Sequence, residues 1–156
     1  LWGEQHSSLG RAYHQFATTL ADNGRWPEAK QNFERCIVIW SQTHGPDHRA
    51  LAQPETGLAR VHLHAGEHKL ALVLLESALS KLQQGQGHPA EDARTYFHLA
   101  RALVLNDGDP ERARALAQRA LSMLEALGPG YERDRLQMRA WHRAQVSDGA
   151  HTEDPR

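Results

Sequence analysis

The fold is decided by residues 66–87, whose sequence is GEHKLALVLLESALSKLQQGQG. Its apolar residues recur at intervals of three and four: Leu70, Leu74, Leu75, Ala78, Leu79 and Leu82. This spacing places them on one stripe of an α-helix and leaves Glu76 and Lys81 for solvent. Gly66 and Gly87 mark turns, because glycine is favoured just past the end of a helix. The stretch is therefore predicted to be one amphipathic helix between two turns.

Both glycines belong to series that repeat every 42 residues along the chain. One series is Gly3, Gly45 and Gly87, and the other is Gly24, Gly66 and Gly108. Small residues share this period, with Ala29, Ala71 and Ala113 in one series and Cys36, Ala78 and Ala120 in another. The pairs Phe16-Ala17, Leu58-Ala59 and Leu99-Ala100 are spaced by 42 and then 41 residues, with one extra residue in the loop at 106–110. Two interleaved glycine series predict two helices in each repeat.

The period predicts an all-α protein, a right-handed α-solenoid of three helical hairpins plus a C-terminal capping helix. The repeats are expected at about 3–44, 45–86 and 87–128, the cap at 131–146, one repeat domain over 1–147, and a disordered tail at 148–156. Helices are expected at about 6–23, 26–43, 48–65, 67–84, 90–106, 109–127 and 131–146. Leu1-Trp2 precedes Gly3 as the end of a second helix precedes Gly45, so it is interpreted as the stub of a preceding repeat.

The first-helix Phe/Leu-Ala pair, the loop glycine and the two small residues of the second helix resemble the tetratricopeptide repeat family. The length and the linkers at 45–48 and 87–89 resemble the roughly 42-residue class found in kinesin light chains and many bacterial regulators. Residues 109–117, DPERARALA, resemble the C-terminal repeat arrays of bacterial serine/threonine protein kinases. The sequence has no glycine-rich loop or catalytic-loop motif of a kinase. The resemblance implies a scaffold that binds proteins, within a larger bacterial signalling protein.

Two residues depart from the regular pattern. Pro54 falls inside the predicted first helix of the second repeat, where it removes a backbone donor and is expected to bend or delay that helix. His62 stands where this family often has an aromatic residue. The repeat pattern survives both departures, but it does not fix the geometry near Pro54.

Charge and reactive residues argue against chemistry. The formal net charge is -1, from 18 Lys and Arg against 19 Asp and Glu, which gives no overall attraction to nucleic acid or to an anionic membrane. Cys36 stands at a recurring small-residue position, so we expect it to be a packing residue, and a single cysteine suits a reducing cytoplasm. His64 and His68 have the interval of a zinc pair, but Gly66 separates them and no cysteine or acidic cluster completes the site. We expect no enzymatic activity, catalytic residue, cofactor or metal.

The first helices of such repeats line a concave groove that receives an extended or helical peptide. The faces opposite Ala17, Ala59 and Ala100 offer the predicted partner-binding residues: Arg11, His14, Thr18, Gln53, Arg60, His64, Arg94, Phe97, His98 and Arg101. The four arginines form a basic strip that would favour an acidic peptide or partner surface, because the guanidinium binds carboxylates in a bidentate fork. A solvated face with partners one helical turn away is the alternative interpretation. Thr18 replaces the Asn expected in repeats that clamp a chaperone's C-terminal carboxylate, which disfavours that ligand.

A second class of function stays open. An exposed apolar surface at the N-terminal repeat end would favour stacking between chains and hence a homodimer. The sequence thus predicts either a protein-interaction scaffold or a self-association module.

Overall fold

The computed structural model describes the backbone of residues 2–149 and the side chains of residues 6–145. This range contains seven α-helices: α1 (Trp2–Asp22), α2 (Trp26–His44), α3 (Ala52–His64), α4 (His68–Leu82), α5 (Pro89–Leu105), α6 (Pro110–Ala126) and α7 (Glu132–Gly149). It contains no strand, which confirms the predicted all-α fold of helical repeats. Residues 148 and 149 of the predicted tail belong to α7, whereas Leu1 and residues 150–156 lie outside the described range.

The helices pair in sequence order within two compact units, Leu1–Gly87 and His88–Arg156. In the first unit α1 packs on α2, α3 packs on α4, and α3 also contacts both helices of the first pair. In the second unit α5 packs on α6 and α7 packs on α6. None of the helices in residues 2–149 has the length and hydrophobicity that crossing a bilayer requires.

The recurring small residues lie where the helices touch. All nine members of the three series are at most 1% exposed: Ala17, Ala29, Cys36, Ala59, Ala71, Ala78, Ala100, Ala113 and Ala120. A larger side chain at these sites would push two helices apart, since interiors are already close-packed. The period of small residues therefore reports the positions of closest helix contact.

The first helix of each hairpin ends in the same hydrogen-bonded turn. Gly24 and Gly66 have φ angles of 75° and 77°, the left-handed conformation that glycine adopts without strain. In the third hairpin this position is filled by Asp107, with φ 52°. The next residue in each case, Arg25, Glu67 and Gly108, donates its N–H to a carbonyl five residues earlier, as in a Schellman motif. The extra loop residue of the third repeat is therefore inserted after the left-handed position.

Pro54 delays α3 rather than bending it. A 3-10 turn, Arg49–Leu51, comes first, and α3 begins at Ala52. Pro54 thus lies in the first turn of the helix, where backbone N–H groups have no intrahelical acceptor and its missing donor costs nothing.

Lys81 is 5% exposed, so the prediction that it faces solvent is wrong. Its ammonium Nζ lies 2.9 Å from Glu55 Oε1 and 2.7 Å from Ser77 Oγ. Glu55 is also buried, on the neighbouring helix α3. Burial raises the pKa of the Glu55 carboxyl above its usual value, and the contact with Lys81 offsets this in part. The second hairpin therefore carries a buried ion pair between its two helices.

We expect Lys81→Met to destabilise the protein by about 3–5 kcal/mol at neutral pH, because it leaves a buried carboxylate without its cation. The pKa of Glu55 should then rise further. A carboxyl whose pKa is raised by folding stabilises the fold below its unfolded pKa, and this stabilisation is lost as pH rises through the folded value. The deficit should therefore be smallest in acid and should grow with pH above the usual carboxyl range, measured by urea unfolding.

Lys69→Met on the same helix is the matched control, since Lys69 is exposed. The double variant Glu55→Leu with Lys81→Met should recover much of the loss, as apolar replacements of whole ion pairs do. Equal costs for the Lys81 and Lys69 variants, at every pH, would contradict this role.

Phe33 of α2 fills the space that a side chain at position 57 of α3 would occupy. A Cβ atom added to Gly57 would overlap the Phe33 ring. Phe33 is fully buried and belongs to the core cluster of the first unit, with Ala17, Leu20, Ala21, Ala29, Leu58 and Val61. Gly57 is thus the residue that lets α3 pack onto α2.

Gly57→Ala should lower the free energy of unfolding by about 1–3 kcal/mol through overpacking. The higher helix propensity of Ala should offset roughly 0.5–1 kcal/mol of this loss. In a Phe33→Leu background the same substitution should cost less, because the clashing ring is gone. Chemical denaturation of both single variants and the double variant measures this coupling. Strictly additive costs would show that Phe33 does not restrict position 57.

Candidate functional site

The first helices of the first two hairpins, α1 and α3, lie side by side in the first unit. We call their shared polar surface the α1–α3 face; its residues are Arg11, His14, Thr18, Asp22, Gln53, Arg60 and His64. Arg60 Nη2 on α3 lies 3.0 Å from Asp22 Oδ1 on α1. This ion pair ties the two helices together at one end of the face.

The middle of the face is held from below by aromatic packing. The ring of His14 is 6.0 Å from that of Phe33 and is stacked on that of Trp40 at 6.1 Å, measured between centroids. Thr18 donates its hydroxyl to the His14 carbonyl at 2.9 Å. His14 and Thr18 are half-buried, so they present only part of their surface. Trp40, in turn, donates its indole N–H to the Ser7 carbonyl at 3.1 Å.

Histidines at the end of α3 have structural partners. His64 stacks on Trp26 with a centroid distance of 4.3 Å. His62 is buried, and its Nδ1 contacts the Glu67 carboxylate. This hydrogen bond is the main reason why the pKa of Glu67 is lowered. Within the described residues, no three His, Cys, Asp or Glu side chains lie close enough to hold one metal ion.

In the second unit, two of the predicted binding residues of α5, Arg94 and Phe97, contact α7. Phe97 is 2% exposed and packs edge-on against Trp141 of α7, with ring centroids 5.7 Å apart. His98 is also buried. Arg94 bonds Glu91 on its own helix at 2.7 Å and Asp134 on α7 at 2.9 Å. The Arg101 guanidinium lies over the Phe97 ring at 5.9 Å. Phe97 and Arg94 thus join α7 to the last hairpin.

Intramolecular carboxylates therefore compensate part of the predicted basic strip. Asp22 faces Arg60, and Glu91 and Asp134 face Arg94. The side chain of Arg11 is exposed on α1. Exposed ion pairs of this kind are worth about 0–1 kcal/mol, so a partner carboxylate could replace Asp22 at small cost.

The carboxylates facing Arg60 and Arg94 were missed in the sequence, although a signal was present. Asp22 and Arg60 are 38 residues apart, and Arg94 and Asp134 are 40 apart. Both separations are close to one repeat, so opposite charges at this distance lie on consecutive first helices. The same rule relates α7 to α5 and marks α7 as a helix in the position of a further first helix.

Cys36 is fully buried between the helices of the first unit. Burial raises the pKa of its thiol to about 12. The thiolate, which is the reactive form, is therefore scarce at neutral pH. The packing role predicted from the repeat register is the one that the structure supports.

The family comparison follows the geometry of the first two hairpins. Residues 8–84 match the family model of the tetratricopeptide repeat. The matched stretch includes the α1–α3 face and the packing of α3 on α2. It ends shortly before the boundary of the first unit at Gly87.

A solved structure has the same fold over most of the chain. It is the crystal structure of the Yersinia enterocolitica type III secretion translocator chaperone SycD, in an alternative dimer. The two chains share 15% sequence identity and superpose with a TM-score of 0.64 over 91% of this chain and 95% of SycD. None of the curated protein sequences matches this chain. At this identity, the likeness to SycD shows the helical-repeat fold.

The attachment of α7 depends on Arg135, which is 9% exposed. Its Nη1 donates to the Gly128 carbonyl at 2.6 Å and to the Leu124 carbonyl at 3.3 Å, at the C-terminal end of α6. Arg135→Ala should weaken this attachment by about 1.5–3 kcal/mol, because hydrogen bonds from a charged donor are lost. Hydrogen exchange should then speed up selectively at the α7 amides.

Arg133→Ala is the control, since Arg133 is exposed on the same helix. If both variants changed α7 exchange equally, the loss of a positive charge from α7 rather than of the carbonyl contacts would be the cause.

Proposed function

We propose that the chain is a non-catalytic protein-interaction scaffold that binds a peptide or a partner's surface on the α1–α3 face. The observation that carries this proposal is the pairing of two first helices into a polar face on a rigid apolar base. Phe33 and Trp40 hold the base, while Arg11 and Gln53 keep donors and acceptors accessible above it. Such a face offers hydrogen bonds at fixed spacing to an extended or helical peptide.

We further propose that the preferred partner is acidic. Arg11 supplies an exposed cation on α1, and Arg60 of α3 is paired with Asp22 as an exchangeable counter-charge. An incoming carboxylate could take the place of Asp22 on the Arg60 guanidinium. In the second unit, the partly exposed Arg94 and Arg101 would have the same preference.

Two likenesses support a scaffold role. The match to tetratricopeptide repeats supports protein binding, and the shared fold with a translocator chaperone supports holding a partner chain. The resemblance of residues 109–117 to kinase-linked arrays supports a place within a larger bacterial signalling protein. The single, buried Cys36 is consistent with a reducing cytoplasm as its location.

Self-association through the N-terminal repeat end is the second candidate function. Two large apolar side chains on adjacent helices of the first hairpin favour it: Leu9 is 47% exposed and Val38 is 55% exposed. The solved structure of similar fold, SycD, was itself crystallised as a dimer, which supports dimerisation of this chain.

Labelled 12-residue peptides of acidic, neutral and basic composition, matched in hydrophobicity, test the acidic preference by fluorescence anisotropy. Arg60→Glu should weaken binding of the acidic peptides by roughly tenfold, which is about 1.4 kcal/mol. Asp22→Asn should instead strengthen it, by up to about fivefold, because it removes a competing carboxylate worth about 0.2–1 kcal/mol.

Arg133→Glu on α7 is the charge-matched control and should leave the affinity unchanged. Binding of basic peptides in preference to acidic ones, or an Arg60→Glu variant with the affinity of the control, would rule out an acidic ligand on this face. Binding of none of the peptides by the wild-type chain would count against the α1–α3 face as a peptide site.

A further inference from the structure

A separate groove lies between α1 and α2, on the side of the first hairpin away from α3. It has a volume of about 490 Å³ and is lined by Leu9, Tyr13, Gln31, Glu34, Arg35, Val38 and Ile39. None of these residues belongs to α3 or α4. We call this cavity the α1–α2 groove.

The floor of the α1–α2 groove is apolar. Leu9 and Val38 are about half exposed, and Tyr13 and Ile39 are half-buried between the helices. Phe16, 54% exposed, continues the same stripe of α1 one turn beyond Tyr13. Single exposed apolar residues are ordinary on protein surfaces, but a contiguous group with a polar rim is typical of an interaction surface.

The charges at the rim of the groove decide its occupant. Glu34 and Arg35 are neighbours on α2 and carry opposite charges, so the groove attracts neither an acidic nor a basic peptide through net charge. The Arg35 guanidinium lies over the Tyr13 ring at 5.6 Å from its centroid, which places that charge at the groove edge. A rim with both signs on adjacent positions complements itself under a two-fold rotation.

We propose that the α1–α2 groove is the interface of a two-fold symmetric homodimer, in which a second copy of this chain presents the same groove. With the axis crossing α2 near Glu34, the two α2 helices run antiparallel. Arg35 of each copy then faces the partner's Glu34, while Val38 of each copy lies over the partner's groove opposite Gln31. This is the isologous contact that two-fold symmetry requires. This homodimer rests on the self-association proposed above, and it specifies the contacting surface and the charge pairs across it.

Exchanging the charges tests the pairing directly, with sedimentation velocity over a range of concentrations as the measurement. Glu34→Arg alone places two like charges opposite Arg35, and Arg35→Glu alone does the same to Glu34. Each single variant should raise the dimer dissociation constant at least tenfold. The double variant Glu34→Arg with Arg35→Glu restores both pairs and should dimerise like the wild type.

Mixing the two single variants gives a sharper test. One copy then presents two arginines and the other two glutamates, so an equimolar mixture should form the heterodimer although each variant alone is monomeric. Circular dichroism should show wild-type helicity for both variants, since both positions are exposed.

Val38→Asp tests the apolar floor, with Val73→Asp as its control. Val73 is 68% exposed on α4, outside the groove. Val38→Asp should abolish the dimer, and Val73→Asp should preserve it.

Three results would overturn the proposal: a wild-type chain that stays monomeric up to about 100 μM, a dimer unaffected by Val38→Asp, or a charge-exchanged double variant no better than the singles. A chain that stays monomeric and binds an unrelated helical peptide in the groove would count as the first result and would also overturn the proposal. Peptide binding to the α1–α3 face, measured on the Val38→Asp monomer, separates the two proposals: it should persist even if dimerisation fails.

Discussion

The contact between Phe33 and Gly57 sets the geometry of the first unit. Phe33 reaches from α2 to the backbone of α3, while its other neighbours include the His14 ring on α1. One aromatic side chain thereby fixes the relative positions of three helices. A larger residue at position 57 would displace α3 outward, because a packed interior responds to added volume by moving backbone.

The exposed contacts of the α1–α3 face depend on the position of α3 that Phe33 and Gly57 set. Two contacts join α3 to the first hairpin: the Asp22–Arg60 ion pair at 3.0 Å and the Trp26–His64 stack with ring centroids 4.3 Å apart. Both contacts require the position that α3 has relative to the first hairpin. Long polar side chains adapt to small shifts, but a stacked pair of rings does not. The proposed binding surface thus depends on how closely the buried apolar side chains allow the helices to approach.

The sequence predicted the helix contacts well because they are local and periodic. A small residue is required wherever backbones approach, so the three series of Ala and Cys mark these sites in every repeat. The ends of the first helices can also be predicted locally, because each of them ends at a residue in the left-handed conformation, which is usually glycine. Asp107 shows the limit of the glycine signal, since it takes this conformation one residue before Gly108.

Side-chain partners were harder to predict because they come from the neighbouring helix. The sequence pattern places Lys81 among the polar positions of its helix, but Glu55 lies opposite it on α3. Burying either charge alone would cost much stability, whereas the two charges together offset each other's desolvation. Phe97 could be placed on the correct helix but not beneath Trp141, since the predicted capping helix lay outside the three repeats whose period was read from the sequence. A periodic pattern locates a residue on a face; whether that face is covered depends on the next element.

The two surfaces proposed for this chain use different flanks of one helix. Ala17, Leu20 and Ala21 bury the central stripe of α1. Arg11 and Thr18 lie on the flank toward α3, whereas Leu9 and Tyr13 lie on the flank toward the α1–α2 groove. Because the flanks are separated by the buried stripe, a partner on one leaves the other accessible. Peptide binding and dimerisation are therefore compatible, and a dimer would present two copies of the α1–α3 face to a single partner. Two linked faces raise the effective concentration of each for a bivalent ligand, which strengthens binding without any new contact.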